Sequence, residues 1–324
     1  MPTVGVSRAS GVPDYGPGAG TSNFIPEIYS GKLIEKFYKT TVFGEIASTD
    51  YEGDIVGFGS NVIIRGIPDV TVSDYVIGQN LNYQRPERVS TNLPIDRAKF
   101  FAVVLNTVDV RQADIDLSDI FAEDGSIQLK IAADADMLSV IPSQIGTPNQ
   151  GANAGNDVGN INLGTAASPV VMAKDEPTTA GTGVRGVVDF MTDWGQVLDE
   201  QNVPDEGRWC VVPPWFVKLI KQSPLKIASL SGDNISILRN GKVGEIDRFT
   251  IYQSRNVLRS GGSPAVGWAV VFGHSAGLAF AAQITEAEML QNPNDFGYLV
   301  RGLLVYGYKV IEDNYLGLAY VSPG

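Results

Sequence analysis

The chain has 324 residues, 44% of them hydrophobic and 19% charged, which supports a sizeable folded core and excludes a disordered protein. A formal net charge of −12 gives no general attraction to nucleic-acid phosphates or to an anionic membrane surface. The single cysteine, Cys210, excludes an intrachain disulfide and reads as a small buried apolar residue.

In chain order, the opening run MPTVGVSRASGVPDYGPGAG is rich in glycine and proline. It has no apolar core of signal-peptide length and reads as an extended N-terminal arm over 1–24. Pro26 and Glu27 then start a helix predicted over Ile25–Thr40, with Leu33/Phe37 and Ile34/Tyr38 four apart, in a segment 25–50 that leads into β-rich sequence.

Residues 51–105 are rich in β-branched side chains and punctuated by glycine and proline, the pattern of one long β-hairpin. Arms of roughly 12 to 15 residues at about 3.3 Å each reach about 40–50 Å. A compact body of this chain length has a radius of gyration of about 20 Å, so the hairpin would overshoot its own domain. An isolated two-stranded ribbon is marginal in water and asks for a partner surface. Arg65, Arg85, Arg88, Arg97 and Lys99 lie along it, interleaved with Asp54, Asp69, Asp74, Glu87 and Asp96. That mixture of signs favours pairing with a protein over binding nucleic acid. Arg65, Asp69, Asp74, Arg85, Glu87 and Arg88 are the candidate contacts.

Gln112 to Ile141 has helical spacing, with Gly125 as a potential kink and Pro142 as its end. From Ser143 to Gly183 the sequence turns to glycine, asparagine and alanine, the composition of a surface insertion, and a boundary is expected near 183. Val187, Phe190, Met191, Trp194 and Leu198 mark an amphipathic helix. RWCVV at 208–212 reads as a strand, Pro213-Pro214 opens a short helix, and Asn240-Gly241 is a hairpin signal. From Trp268 to Tyr320 the pattern is mostly that of strands. The run Ala265–Ile284 has the length of a membrane span, but its glycines and flanks favour two buried strands around a turn at Gly273–Gly277.

Several motifs invite a catalytic or ligand reading. Gly273-His274-Ser275-Ala276-Gly277 fits the G-x-S-x-G elbow, yet the only histidine in the chain is adjacent to the serine and none follows it, so no triad assembles. Gly181-Thr182-Gly183-Val184-Arg185-Gly186 matches G-x-G-x-x-G but lacks the buried strand immediately before it that a dinucleotide fold requires. Asp114, Asp116 and Ser118 begin like a calcium loop, with Asp119 and Gly125 where glycine and glutamate are needed. No catalytic, cofactor or metal residue is assigned.

Ordered short motifs give the stronger signal. Gly53-Asp54, Val70-Thr71-Val72, Asp74-Tyr75, Leu93-Pro94-Ile95-Asp96, Lys99-Phe100-Phe101-Ala102 and Asp109 with Gln112 are followed by Pro204-Asp205-Glu206-Gly207-Arg208 and Val211-Val212-Pro213-Pro214-Trp215. From about Phe24 to Val321, this order and spacing resemble the major capsid proteins of tailed bacteriophages of the Hong Kong 97 type. The resemblance implies an α+β fold with an N-terminal arm (1–24), an extended β-hairpin loop (51–105), a spine helix with a following peripheral region (106–183), and an axial domain whose C-terminal strands return to the peripheral part (184–324). It also implies a virion subunit, made in the host cytoplasm, that assembles as hexamers and pentamers with a scaffolding protein, a portal and in some cases a cement protein. The shell encloses double-stranded DNA without sequence-specific binding and without a membrane or cofactor. The family's covalent cross-link is not carried over, because its residues have no match here. The other readings are a β-rich phage decoration or tail-associated protein and, more distantly, a serine hydrolase using Ser275.

Overall fold

The run Arg208–Val212 (β6) is buried at every position in the computed structural model, which describes residues 41–49, 61–66, 68, 70–75, 77–80, 83–85, 90–106, 117–176, 183–223, 244–260, 267–293 and 296–324. A strand buried on both sides needs an apolar layer on each face. β6 sits inside an eight-stranded sheet with β4 (Val170–Ala173), β5 (Val184–Gly186), β7 (Glu245–Ile246), β8 (Phe249–Gln253), β9 (Arg259–Ser260), β10 (Gly267–His274) and β13 (Leu316–Pro323). The order is β5-β4-β13-β10-β6-β8-β7, with β9 paired to β10. β10 runs antiparallel to both β6 and β13, and β6/β8, β13/β4 and β4/β5 are parallel.

The two-residue period of a strand divides these side chains cleanly. Cys210, Val212, Val270, Phe272, Ala319 and Val321 join one core with helices α3 (Val187–Glu200) and α4 (Pro214–Gln222). Trp209, Val211, Ala269, Val271, Leu316 and Leu318 join another with α2 (Leu117–Val140) and the short helix α1 (Phe43–Ile46). In α3 the buried positions 187, 190, 191, 194, 197 and 198 fall on one stripe. Trp194 stacks on Phe272 at 5.0 Å and on Phe216 at 5.7 Å. Each such side chain, fully buried, contributes about 1.5–3 kcal/mol. Pro214 occupies the first turn of α4, where its missing N–H has no cost. Burial pushes the Cys210 thiol upward, as suits an inert core residue.

A second sheet joins β11 (Leu278–Gln291), β12 (Gly297–Val310) and β3 (Arg97–Asn106), all antiparallel, beneath α2. α2 is helical throughout, Gly125 included, and the glycine makes room. A methyl at 125 would lie 2.6 Å from the Phe101 ring, and one at Gly302 on β12 would collide with the same ring from the other side. Further along α2, Asp136 accepts hydrogen bonds from Arg97 at 2.8 Å and from the Tyr306 hydroxyl at 2.9 Å, and Arg97 lies over the Tyr308 ring. Burial, reinforced by the Asp136 carboxylate, holds both phenols well above their ordinary range. The buried Asp134 accepts from the Val42 and Phe43 amides and from Asn256.

Three sequence expectations need correction. Among the described residues the hairpin is paired from Asn61–Arg65 (β1) to Ser90–Pro94 (β2), with Asn61 opposite Pro94 and Arg65 opposite Ser90. Beyond Pro94 the chain leaves the ribbon, because Phe101, Val103 and Leu105 alternate inward as a strand of the second sheet. Arg97 and Lys99 therefore belong to the body. The described part of the run expected as an insertion, 143–176, is not loose either. Ala154, Ile161 and Leu163 are core residues, and the fully buried Asn149 donates to the carbonyls of Asn314 and Leu316 at 2.8 and 2.9 Å. Its polar composition serves backbone contacts. Third, β4 and β5 lie side by side across the change of composition near 183, so that change is not a break in the fold.

From Gly267 onward the run expected as two strands forms β10, a short turn and β11, in two different sheets. Among the described residues no helix is long and apolar enough to cross a membrane. The helix expected over Ile25–Thr40, the Asn240-Gly241 hairpin, Asp114 and Asp116 lie outside the described residues.

Candidate assembly surfaces

β1 and β2 are rooted in a small core in which Ile64, Leu93 and Ile95 meet Ala279 and Ala281. Beyond this root the described residues of the limb form no strand ladder. The Gln84 side-chain amide takes the place of a backbone partner: it accepts from the Thr71 N–H at 3.0 Å and donates to the Thr71 carbonyl at 2.8 Å. Gly78, at φ +91°, turns the tip, a backbone angle that favours glycine. Apart from the half-buried Pro68, the described side chains of this limb are exposed although several are large and apolar. Val72 is 92% exposed and Ile77 94%, and Val70, Tyr75 and Tyr83 are similar in kind. Contiguous exposed apolar side chains on a folded protein mark an interaction surface.

The charges predicted to make contacts lie on the same limb. Arg65, Asp74 and Arg85 are exposed, and among the described residues no salt bridge involves them. Asp69, Glu87 and Arg88 lie outside the described residues.

A second surface was missed in sequence. On the face of the three-stranded sheet away from α2, Phe100 and Val104 on β3 stand opposite Leu303 and Leu299 on β12. Between them Arg301 pairs with Glu288 on β11 at 2.7 Å. A groove of about 480 Å³ runs here, lined by Phe100, Ala102, Glu288, Arg301 and Leu303. Phe100 is 77% exposed, and Phe296 at the β11–β12 tip is 86% exposed. The signal was present: from 298 to 305 apolar side chains fill both strand parities, so one face is left over once the other meets α2.

Solved structures of similar shape decide what kind of body this is. The chain resembles a structure from Mycobacterium phage Che8 at 25% identity and a TM-score of 0.71, covering 91% of this chain and 97% of that one. It resembles the capsid of cyanophage P-SCSP1u at 15% identity and a TM-score of 0.67, covering 95% and 96%. It resembles the mature capsid of bacteriophage PhiM1 at 14% identity and a TM-score of 0.64, covering 98% and 96%. The chain has the fold of a tailed-phage major capsid protein. No family model and no curated protein matches the sequence.

Within this capsid fold of the Hong Kong 97 type, α2 packs on the three-stranded sheet and the β1/β2 ribbon is rooted against β11. β11 and β12 build the three-stranded sheet with β3, and β13 lies between β4 and β10 in the larger sheet. The G-x-S-x-G motif sits at the crossing between the two sheets. Ser275 opens the turn Ser275–Gly277, and His274 Nδ1 accepts a hydrogen bond from the Ala276 N–H at 3.1 Å, so the imidazole caps the turn instead of facing the serine hydroxyl as a base. We expect no labelling of Ser275 by a fluorophosphonate probe, and Ser275→Ala to change at most the yield of folded protein. Labelling of the wild type that disappears in Ser275→Ala would establish an activated nucleophile.

Proposed function

We propose that this chain is the structural subunit of an icosahedral phage head, self-assembling as hexamers and pentamers and carrying out no chemistry of its own. The observation that carries the reading is the extended loop. Among the described residues its large apolar side chains enter no core, and an apolar face that could receive them lies on the outside of the same fold. A head built this way encloses double-stranded DNA without reading it. The acidic composition suits that task, because many phosphate contacts by Lys and Arg would hold the genome against repacking and release. A scaffolding protein and a portal are the expected assembly partners, with a cement protein on the outside where one is used, and the virion is the expected location. Electron microscopy of the purified protein tests the reading. Closed shells support it, and a stable monomer or small ring under assembly conditions favours a decoration or tail-associated protein instead.

The loop charges give a second test. Exposed ion pairs contribute about 0–1 kcal/mol each, yet a shell repeats every contact many times. Arg65→Glu or Arg85→Glu is expected to prevent closure while leaving the subunit's thermal transition nearly unchanged, with a compensating acidic-to-basic change on the neighbour restoring it. Normal assembly of both reversals at low and moderate salt would assign these contacts to apolar and backbone pairing alone.

A further inference from the structure

The chain passes between its two sheets through two turns that pack against each other. Ser275–Gly277 links β10 to β11, and Asp313–Tyr315 links β12 to β13. The contact is close: a methyl at Gly277 would lie 2.9 Å from the Tyr315 Cβ, and the Ile311 N–H donates to the Gly277 carbonyl at 2.9 Å. Each turn is held by one side chain. Asn149 gathers the carbonyls of Asn314 and Leu316, and His274 receives the Ala276 amide.

These two clamps differ in chemistry. The amide of Asn149 keeps its donors at any moderate pH. A backbone N–H can only donate, so His274 Nδ1 must be the unprotonated nitrogen of a neutral ring; the imidazolium has two donors and no acceptor. Histidine is the side-chain type that exchanges its proton between about pH 5 and 8, and His274 is the only one in the sequence. The ring is half-buried and packs on Gly207, where a methyl would lie 3.2 Å from Nε2. The charged groups on the elements around it are Arg208, opposite it in register on β6, Asp205 and Glu206 on the turn before β6, and Glu312 and Asp313 on the facing turn. The Arg208 guanidinium is taken up by Asp199 and Asp205 at 2.6 and 3.1 Å.

We propose that His274 makes the crossing between the two sheets sensitive to pH. With the ring neutral, the turn Ser275–Gly277 is capped and held against Asp313–Tyr315. As pH falls and Nδ1 takes a proton, the Ala276 amide loses its acceptor and the crossing loosens, while the clamp at Asn149 stays. This is a property of the subunit itself and does not depend on the capsid reading.

Hydrogen exchange of the full chain, read over 274–280 at about pH 7.5 and 5.5 and corrected for intrinsic rates, tests it, with β6 as internal control. Loss of one neutral hydrogen bond corresponds to about a fivefold fall in protection at the lower pH. The same fall is expected to be absent in His274→Asn, which keeps an oxygen acceptor that does not titrate in this range. In His274→Ala protection is expected to be low at both pH values. The single imidazole Cε1–H resonance reports the titration directly. The proposal is overturned if protection of 274–280 is unchanged in the wild type, if β6 falls by the same factor, if the ring does not titrate above about pH 5.5, or if His274→Asn shows the same pH dependence.

Discussion

Deleting residues 66–79 is expected to leave a folded subunit that no longer closes into shells. The ladder from Asn61 to Arg65 against Ser90 to Pro94 stays, as do Ile64, Leu93 and Ile95 in their small core. What is removed are side chains such as Val72 and Ile77 that give almost none of their surface to their own chain. Removing exposed loop residues typically changes subunit stability by about 1 kcal/mol or less, because loop-closure entropy varies slowly with length. At an interface the same apolar surface contributes at about 25 cal/mol per Å², and it recurs at every neighbour in the shell. Circular dichroism and denaturation of the variant should therefore match the wild type, while sedimentation shows only unassembled species. Loss of the folding transition together with assembly would place this limb in the core of its own subunit and remove the basis for the loop reading.

The difference in legibility between elements has physical causes. The helix at 187–200 and the strand at 208–212 were readable because each buries a face whose period is set by local geometry, 3.6 residues in one and two in the other. The paired ribbon of Asn61–Arg65 and Ser90–Pro94 was readable in outline, since glycine, proline and β-branched residues together make a ribbon. Its inner end was not, because Phe100 to Val104 alternates equally well in a hairpin or in a sheet, and only the non-local partners Gly302 and Gly125 decide between them. The run 143–183 was misread for a related reason: Asn149 looks like a loop residue, and what fixes it is a set of carbonyls more than 160 positions away. The turn Asp247–Arg248 carried no glycine signal, although both residues have positive φ. Arg248 is held there by Asp199 and Asp205, across α3 and the turn before β6. Of the contact charges expected from the sequence, Arg65, Asp74 and Arg85 are exposed, and the spacing of one chain does not say what such a side chain meets on another copy.

Arg208→Met is expected to be the most costly single change among the charged residues. The guanidinium of Arg208 is fully buried and donates to the Val203, Pro204 and Gly195 carbonyls as well as to Asp199 and Asp205. Methionine fills much of the volume but donates nothing, so carbonyls that closed the turn before β6 are left without partners. Each buried unsatisfied group costs about 1–3 kcal/mol, whereas Asp199 and Asp205 are substantially exposed and lose a partner that water replaces. Arg248 makes the informative control, because it meets the same two carboxylates from a partly exposed position, where a pair contributes about 0–1 kcal/mol. The pH dependence has a defined sign. Partial burial pushes Asp199 upward, but hydrogen bonds from Arg248 and Arg208 outweigh it and hold the carboxyl below its ordinary value. Its contribution is therefore present above about pH 4 and is lost as pH falls through the lowered folded-state value. Urea denaturation at neutral pH should show a large loss for Arg208→Met and a small one for Arg248→Met, and the gap between wild type and Arg208→Met should narrow in acid. Equal losses for the two variants at neutral pH would mean that the cluster acts through its exposed ion pairs, and that the buried carbonyl contacts of Arg208 contribute little.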